Sequence, residues 1–220
     1  MKSELTISRL ISSAKDFCKE MEKYLHTDIY GATDGKAVGT YVEKEFKDYL
    51  NKRYDFEEGN SASGLDLPSV NCDIKVTSIS QPQSSCPYRN SKQKIYGLGY
   101  NLMVFVYEKN DIAKEKAADL VFKSCVFIDS SRTADYQTTR GILDILDRDG
   151  NADDIFAYLI DRNIPGDEVT LYNMAEQIVR NPPELGYLTI SNALQWRLQY
   201  GRVVGLTNIN GIRQIIHYDD

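Results

Sequence analysis

Two apolar runs constrain this chain more than any other feature. Residues 102–107 read Leu-Met-Val-Phe-Val-Tyr, and residues 119–128 are again dominated by Leu, Val, Phe and Ile. Residues of these types favour extended backbone. Runs of this length without a polar face read as strands buried on both sides. Two amphipathic segments precede them. Residues 5–25 carry Leu5, Ile7, Leu10, Ile11, Ala14, Phe17, Met21 and Tyr24 at helical spacing. Residues 36–53 place Val38, Val42, Phe46, Tyr49 and Leu50 on one helical face. A Gly/Ser-rich loop at 55–64 and short extended segments at 64–67 and 70–79 follow, with a short helix expected at 91–98. The order helix, helix, strand, strand, short helix, strand, strand predicts an α/β class fold with a mixed sheet flanked by helices.

The character changes after Thr138. Helices are expected at 138–148, 152–162 and 171–180, and Asn181-Pro182-Pro183 stops the last of them. A further helix is expected at 191–201, capped by Ser191, then two short strands at 203–206 and 212–217 joined by Thr207-Asn208-Ile209-Asn210-Gly211. Helices closing on a β-hairpin suggest a winged-helix-like module. The expected division is a core domain at 1–138 and a second module at 139–220.

Several function classes are excluded on chemistry. Four cysteines (Cys18, Cys72, Cys86, Cys125) and two histidines (His26, His217) give neither zinc-clip spacing nor a disulfide framework. No run of apolar residues is long enough to span a bilayer. Met1–Thr6 lacks the features of a secretory signal, so a cytoplasmic protein is expected. No G-x-x-x-x-G-K-[ST] pattern occurs, so no nucleotide cofactor is expected. Asp147-Arg148-Asp149-Gly150-Asn151 lacks the terminal glutamate of a calcium loop and reads as a solvated linker. The net charge of −6 argues against a nucleic-acid partner only until it is mapped. Residues 139–190 alone carry 4 basic and 10 acidic side chains. Between Asp73 and Glu108 there is no acid at all, while Lys75, Arg89, Lys92 and Lys94 lie inside that stretch. Local charge governs phosphate affinity, so DNA stays open as a partner.

The chemistry concentrates in Ser63-Gly64-Leu65-Asp66-Leu67-Pro68 and Asp73-Ile74-Lys75. On a strand, Asp73 and Lys75 point the same way. Asp66 comes within reach if 64–67 pairs with 70–79. Two carboxylates can hold Mg²⁺ through oxygen, and a lysine beside them can orient a water or accept its proton. This arrangement resembles the PD-(D/E)xK nuclease superfamily, the fold of many type II restriction endonucleases. The resemblance extends to Gly39-Thr40-Tyr41-Val42-Glu43 on the preceding helix and covers residues 36–108. It implies a restriction-endonuclease-like core, with Asp66 and Asp73 as metal ligands, Lys75 as the water-positioning lysine and Glu43 as an accessory metal ligand or a group supporting the ligands from behind. Glu45 lies about as close to the helix's apolar face as Glu43, and Asp55, Glu57 or Glu58 are alternatives to Asp66.

Two segments carry residue types that read DNA. The loop 80–94 offers Gln81, Gln83, Ser84, Ser85, Arg89, Asn90, Lys92, Gln93 and Lys94. On a helix at 191–201, Asn192, Gln195, Gln199 and Arg202 would share one face, with Arg197 and Arg213 as phosphate contacts. The expectation is a Mg²⁺-dependent type II restriction endonuclease acting on double-stranded DNA, as a homodimer if both strands of a palindrome are cut. A structure-specific repair or recombination nuclease on the same core, and a winged-helix DNA-binding regulator with an inert core, are the alternatives.

Overall fold

A computed structural model describes residues 2–59, 64–85, 90–191 and 196–217. In chain order the elements are β1 (Ser3–Glu4), α1 (Ile7–Met21), α2 (Gly35–Asn51), β2 (Tyr54–Asp55), β3 (Cys72–Ser78), β4 (Gln83–Ser85), α3 (Lys92–Tyr96), β5 (Asn101–Ile112) and β6 (Ala117–Ile128). They continue as α4 (Tyr136–Leu146), α5 (Ala152–Asp161), α6 (Glu168–Arg180), β7 (Thr189–Ile190), β8 (Arg197–Gln199), α7 (Gly201–Val204) and β9 (Ile212–Ile216). They form two compact units. The first comprises Met1–Ser84, Asn101–Ile128 and Val203–Asp220; the second comprises Ser85–Tyr100 and Asp129–Arg202. Both units are discontinuous in sequence, where the sequence suggested one cut at 138.

The first unit holds a four-stranded mixed sheet in the order β3-β5-β6-β9. β3 runs parallel to β5, while β6 is antiparallel to both β5 and β9. Helices α1 and α2 cover one face. Thr6 caps α1 by accepting from the Arg9 amide, and Asp34 caps α2 by accepting from the Lys36 amide. Both helices present their apolar stripes to the sheet. Phe17 of α1 and Phe46 of α2 lie 5.8 and 4.9 Å from the Phe105 ring and 5.0 Å from each other. Tilted and edge-on contacts of this kind suit aromatic quadrupoles. Gly39 of α2 faces β3: a Cβ there would sit 3.7 Å from the Val76 carbonyl oxygen, an ordinary contact.

In the second unit, α4, α5 and α6 pack around Ile142, Ile155, Leu159, Leu171 and Ile178, with Ile95 of α3. Asn151 and Asp154 form a capping box at the start of α5. Asp135 organises this unit. It caps α4 at Thr138 and accepts from the Ile190 amide at 2.8 Å.

The winged-helix-like expectation needs correction. Residues 197–199 are extended, and β8 pairs antiparallel with β7 through Thr189↔Gln199 and Ile190↔Leu198. Ser191 accepts from the Arg197 amide through its hydroxyl and closes this ribbon instead of capping a helix. Leu198 and Tyr200 are buried while Arg197 and Gln199 are exposed, a period-two pattern that belongs to a strand. The second strand of the expected wing, β9, instead completes the main sheet along β6. Of the expected 203–206 strand, Val203 and Val204 are helical.

Candidate active site

The site forms at β3, an edge strand of the main sheet. Cys72, Ile74 and Val76 pack toward α1 and α2. By strand alternation Asp73, Lys75 and Thr77 therefore share the opposite face. Before β3, Pro68–Val70 make one turn of 3-10 helix and Asn71 turns the chain back in the left-handed region at φ 47°, ψ 50°. That turn lets Leu67 and Cys72 exchange two backbone hydrogen bonds, of 3.0 and 3.1 Å. Antiparallel register through this pair sets Asp66 opposite Asp73. The short spacing between the two acids is thus what a tight reversal requires, and Pro68 follows Leu67 because it starts the turn. A second contact fixes the approach to Asp66. The Gly59 amide donates to the Asp66 carbonyl at 3.0 Å, and a Cβ on Gly59 would fall 1.5 Å from the Leu65 carbonyl oxygen.

Five side chains follow in a continuous line: Glu43, Lys47, Asp66, Asp73 and Lys75. Lys47 Nζ lies 2.7 Å from Glu43 Oε1 and 2.6 Å from Asp66 Oδ1. The Ile74 amide donates to Asp66 Oδ2 at 2.9 Å. The Asp66 and Asp73 carboxyls act directly on each other's ionisation, and Lys75 Nζ lies 2.6 Å from Asp73 Oδ2. Burial and the Asp66 carboxyl raise the Asp73 pKa to about 7, against the pull of Lys75. Burial would raise Asp66 too, but the bonds from Asp73, Lys47 and the Ile74 amide overcome it and hold Asp66 well below the usual carboxylate range. One carboxyl raised beside one lowered is the pattern expected when two carboxylates share a site. Burial also raises Glu43, opposed by Lys47. The lysine rises in turn, because its bonds to Asp66 and Glu43 outweigh its own burial.

Three of the sequence alternatives have other partners. Glu45 pairs with exposed Lys44 at 3.5 Å. Asp55 belongs to β2 beside Glu4, and Glu58 accepts from Asn51. Lys47 was missed by the sequence reading, although its i,i+4 relation to Glu43 was there to find. Among the described residues no group of three or more His, Cys, Asp or Glu side chains is placed to hold a metal ion.

The nucleic-acid contacts expected from sequence are scattered. Arg89, Asn192 and Gln195 lie outside the described residues. Thr77 anchors the turn after β3: its hydroxyl donates to the Gln81 or Gln83 carbonyl and accepts from the Gln83 amide. Gln81, Ser85, Asn90 and Lys92 are exposed, whereas Gln83 and Ser84 are half-buried. Gln93 is half-buried and donates to the Leu98 carbonyl. Lys94 is only 1% exposed, so its ammonium is not available to a phosphate. Its neighbour there is Asp135, and burial lowers its pKa. Arg197 and Gln199 project from the same side of β8, Arg213 is exposed on β9, and the Arg202 guanidinium stacks 3.7 Å over the Tyr136 ring.

The family model described as type II restriction enzyme NspV matches residues 4–214. Type II restriction enzyme NspV of Nostoc sp. (strain ATCC 29411 / PCC 7524) is 52% identical over 200 residues, covering 91% of each chain. No solved structure matches. With a family match spanning nearly the whole chain and a relative more than half identical, the protein belongs to the NspV family of type II restriction enzymes.

Proposed function

We propose that this protein is a Mg²⁺-dependent type II restriction endonuclease, hydrolysing phosphodiester bonds of double-stranded DNA at a specific sequence. The observation that carries the reading is Asp66 facing Asp73 across the Leu67–Cys72 pair, with Lys75 bonded to Asp73. The donor set fits a small hard cation. Mg²⁺ characteristically uses one or two carboxylates and takes its remaining ligands from water and substrate phosphates. Asp66 and Asp73 would hold it. Held there, the ion would supply Lewis acidity to the scissile phosphate and to the attacking water.

The protein's own residues supply the rest. Lys47 and the Ile74 amide keep Asp66 ionised and fixed in direction. Lys75 orients the attacking water and offers positive charge where the phosphorus gains negative charge. Glu43 acts through Lys47 as an accessory acid. The water oxygen bonds to phosphorus as the bond to the 3′ oxygen breaks, leaving 5′-phosphate and 3′-hydroxyl ends.

The first unit is assigned catalysis and the second, with the 80–93 segment, sequence reading. Exposed Gln81, Asn90 and Gln199 supply bidentate groups for base edges, while Lys92, Arg197 and Arg213 supply phosphate contacts. Cutting both strands of a palindrome calls for a two-fold homodimer. Among the described residues no helix is long and apolar enough to cross a membrane. The test is plasmid digestion in Mg²⁺ or EDTA beside Asp73→Ala and Lys75→Ala. Discrete Mg²⁺-dependent bands lost in both variants support the assignment; a smear, or bands that persist in Asp73→Ala, overturns it.

A further inference from the structure

Lys47 has an arrangement that the proposed chemistry does not require of a simple helix-surface lysine. It is 18% exposed and spans from α2 to the loop before β3, with one ammonium group between Glu43 and Asp66 at 2.7 and 2.6 Å. Both carboxylates are partly buried, their side chains 35% and 18% exposed. Each oxygen of Asp66 has its own donor, Lys47 on Oδ1 and the Ile74 amide on Oδ2. A gap between two carboxylates flanking a hydrolytic centre is where a second divalent cation would bind. Here a tethered monovalent cation fills it.

We infer that Lys47 replaces a second metal ion, so that each active site takes up one divalent cation, at the Asp66–Asp73 pair. This rests on the catalytic assignment above. Charge supports it independently. With Glu43, Asp66 and Asp73 ionised, Lys47 and Lys75 leave a net −1 on the five groups. One divalent ion brings that to +1, which the single negative charge of the scissile phosphate neutralises. Two would leave +3 in a half-buried site, with an ammonium held by two charge-assisted bonds still to be displaced. Lys47 is on this account a positioning residue: it holds Asp66 and occupies the Glu43 side of the centre.

The test counts ions instead of cleavage. The full-length protein is dialysed to equilibrium against Mn²⁺, and site-bound ions are those lost in Asp73→Ala or Glu43→Gln backgrounds. Wild type is expected to bind one such ion per chain and Lys47→Arg one. Lys47→Met is expected to bind two, the second disappearing when Glu43→Gln is added. Mn²⁺ should also raise the melting temperature of Lys47→Met by more than that of wild type. Two site ions in wild type, or one in a folded Lys47→Met, overturns the inference and leaves the catalytic assignment standing. Uptake that Asp73→Ala leaves unchanged overturns both. Two site ions in wild type or in Lys47→Arg overturn it even if Lys47→Met does not fold.

Discussion

Replacing Asp73 by Asn should stabilise the metal-free protein while destroying its activity. Asp73 is 7% exposed, and burial together with Asp66 raises its pKa from 3.8 to about 7. In the unfolded chain the same group ionises near its ordinary value. The folded state therefore binds the Asp73 proton more tightly. The associated stability is fully present below pH 3.8 and is lost as the pH rises through 7. A difference of this size corresponds to about 4 kcal/mol when the group is ionised in both states. Asn removes the ionisation and can still donate to Asp66. It gives up the 2.6 Å ion pair with Lys75, which returns part of the gain. A net stabilisation of about 1–3 kcal/mol at pH 8 is expected, or roughly 2–4 °C in melting temperature per kcal/mol for a chain of this size. The assay is chemical denaturation in EDTA between pH 4 and 8, so that no cation compensates the acids. The advantage of Asp73→Asn over wild type should widen between pH 4 and 7 and level off above. Asp66 has the opposite sign: its stabilisation is present above pH 3.8 and lost on acidification, so it does not mimic the effect. Equal or lower stability of Asp73→Asn at pH 8 would refute the account of a strained carboxyl pair.

Other substitutions probe the scaffold and the corrections to the sequence reading. Asn71→Val places a branched residue at φ 47° and should cost about 1–2 kcal/mol; cleavage should fall further than stability alone explains, because this turn sets Asp66 against Asp73. Phe46→Ala removes a fully buried ring packed against Phe17 and Phe105 and should cost about 3–5 kcal/mol, measured by urea denaturation. Lys94→Met should leave the salt dependence of DNA binding unchanged, because the ammonium is buried; Lys92→Met, at an exposed position in the same segment, should flatten it.

Much of the first unit is legible in one dimension because its elements repeat locally. The helical stripes of α1 and α2, the alternation of β3 and the apolar runs of β5 and β6 each report their own burial. Asp73 and Lys75 share a face by strand geometry alone. Asp66 is legible only conditionally, since its position depends on a reversal in which Asn71 adopts a left-handed conformation. Residues 197–200 show how local pattern can mislead. Gln199 and Arg202 fit a helical face on paper, but the alternation of Arg197, Leu198, Gln199 and Tyr200 matches the ribbon with β7.

Local spacing determined which segments are helices or strands over most of the chain, and which acids and lysine could share one strand face. It also isolated the stretch after Asp73 as free of acidic repulsion. Only the tertiary structure decided that Glu43 joins Asp66 through Lys47 while Glu45 pairs with Lys44, that Lys94 is interior, and that β9 returns to the main sheet. These outcomes depend on contacts between residues far apart in sequence. Periodicity gives the direction of a side chain relative to its own element, and packing between elements settles what that side chain meets.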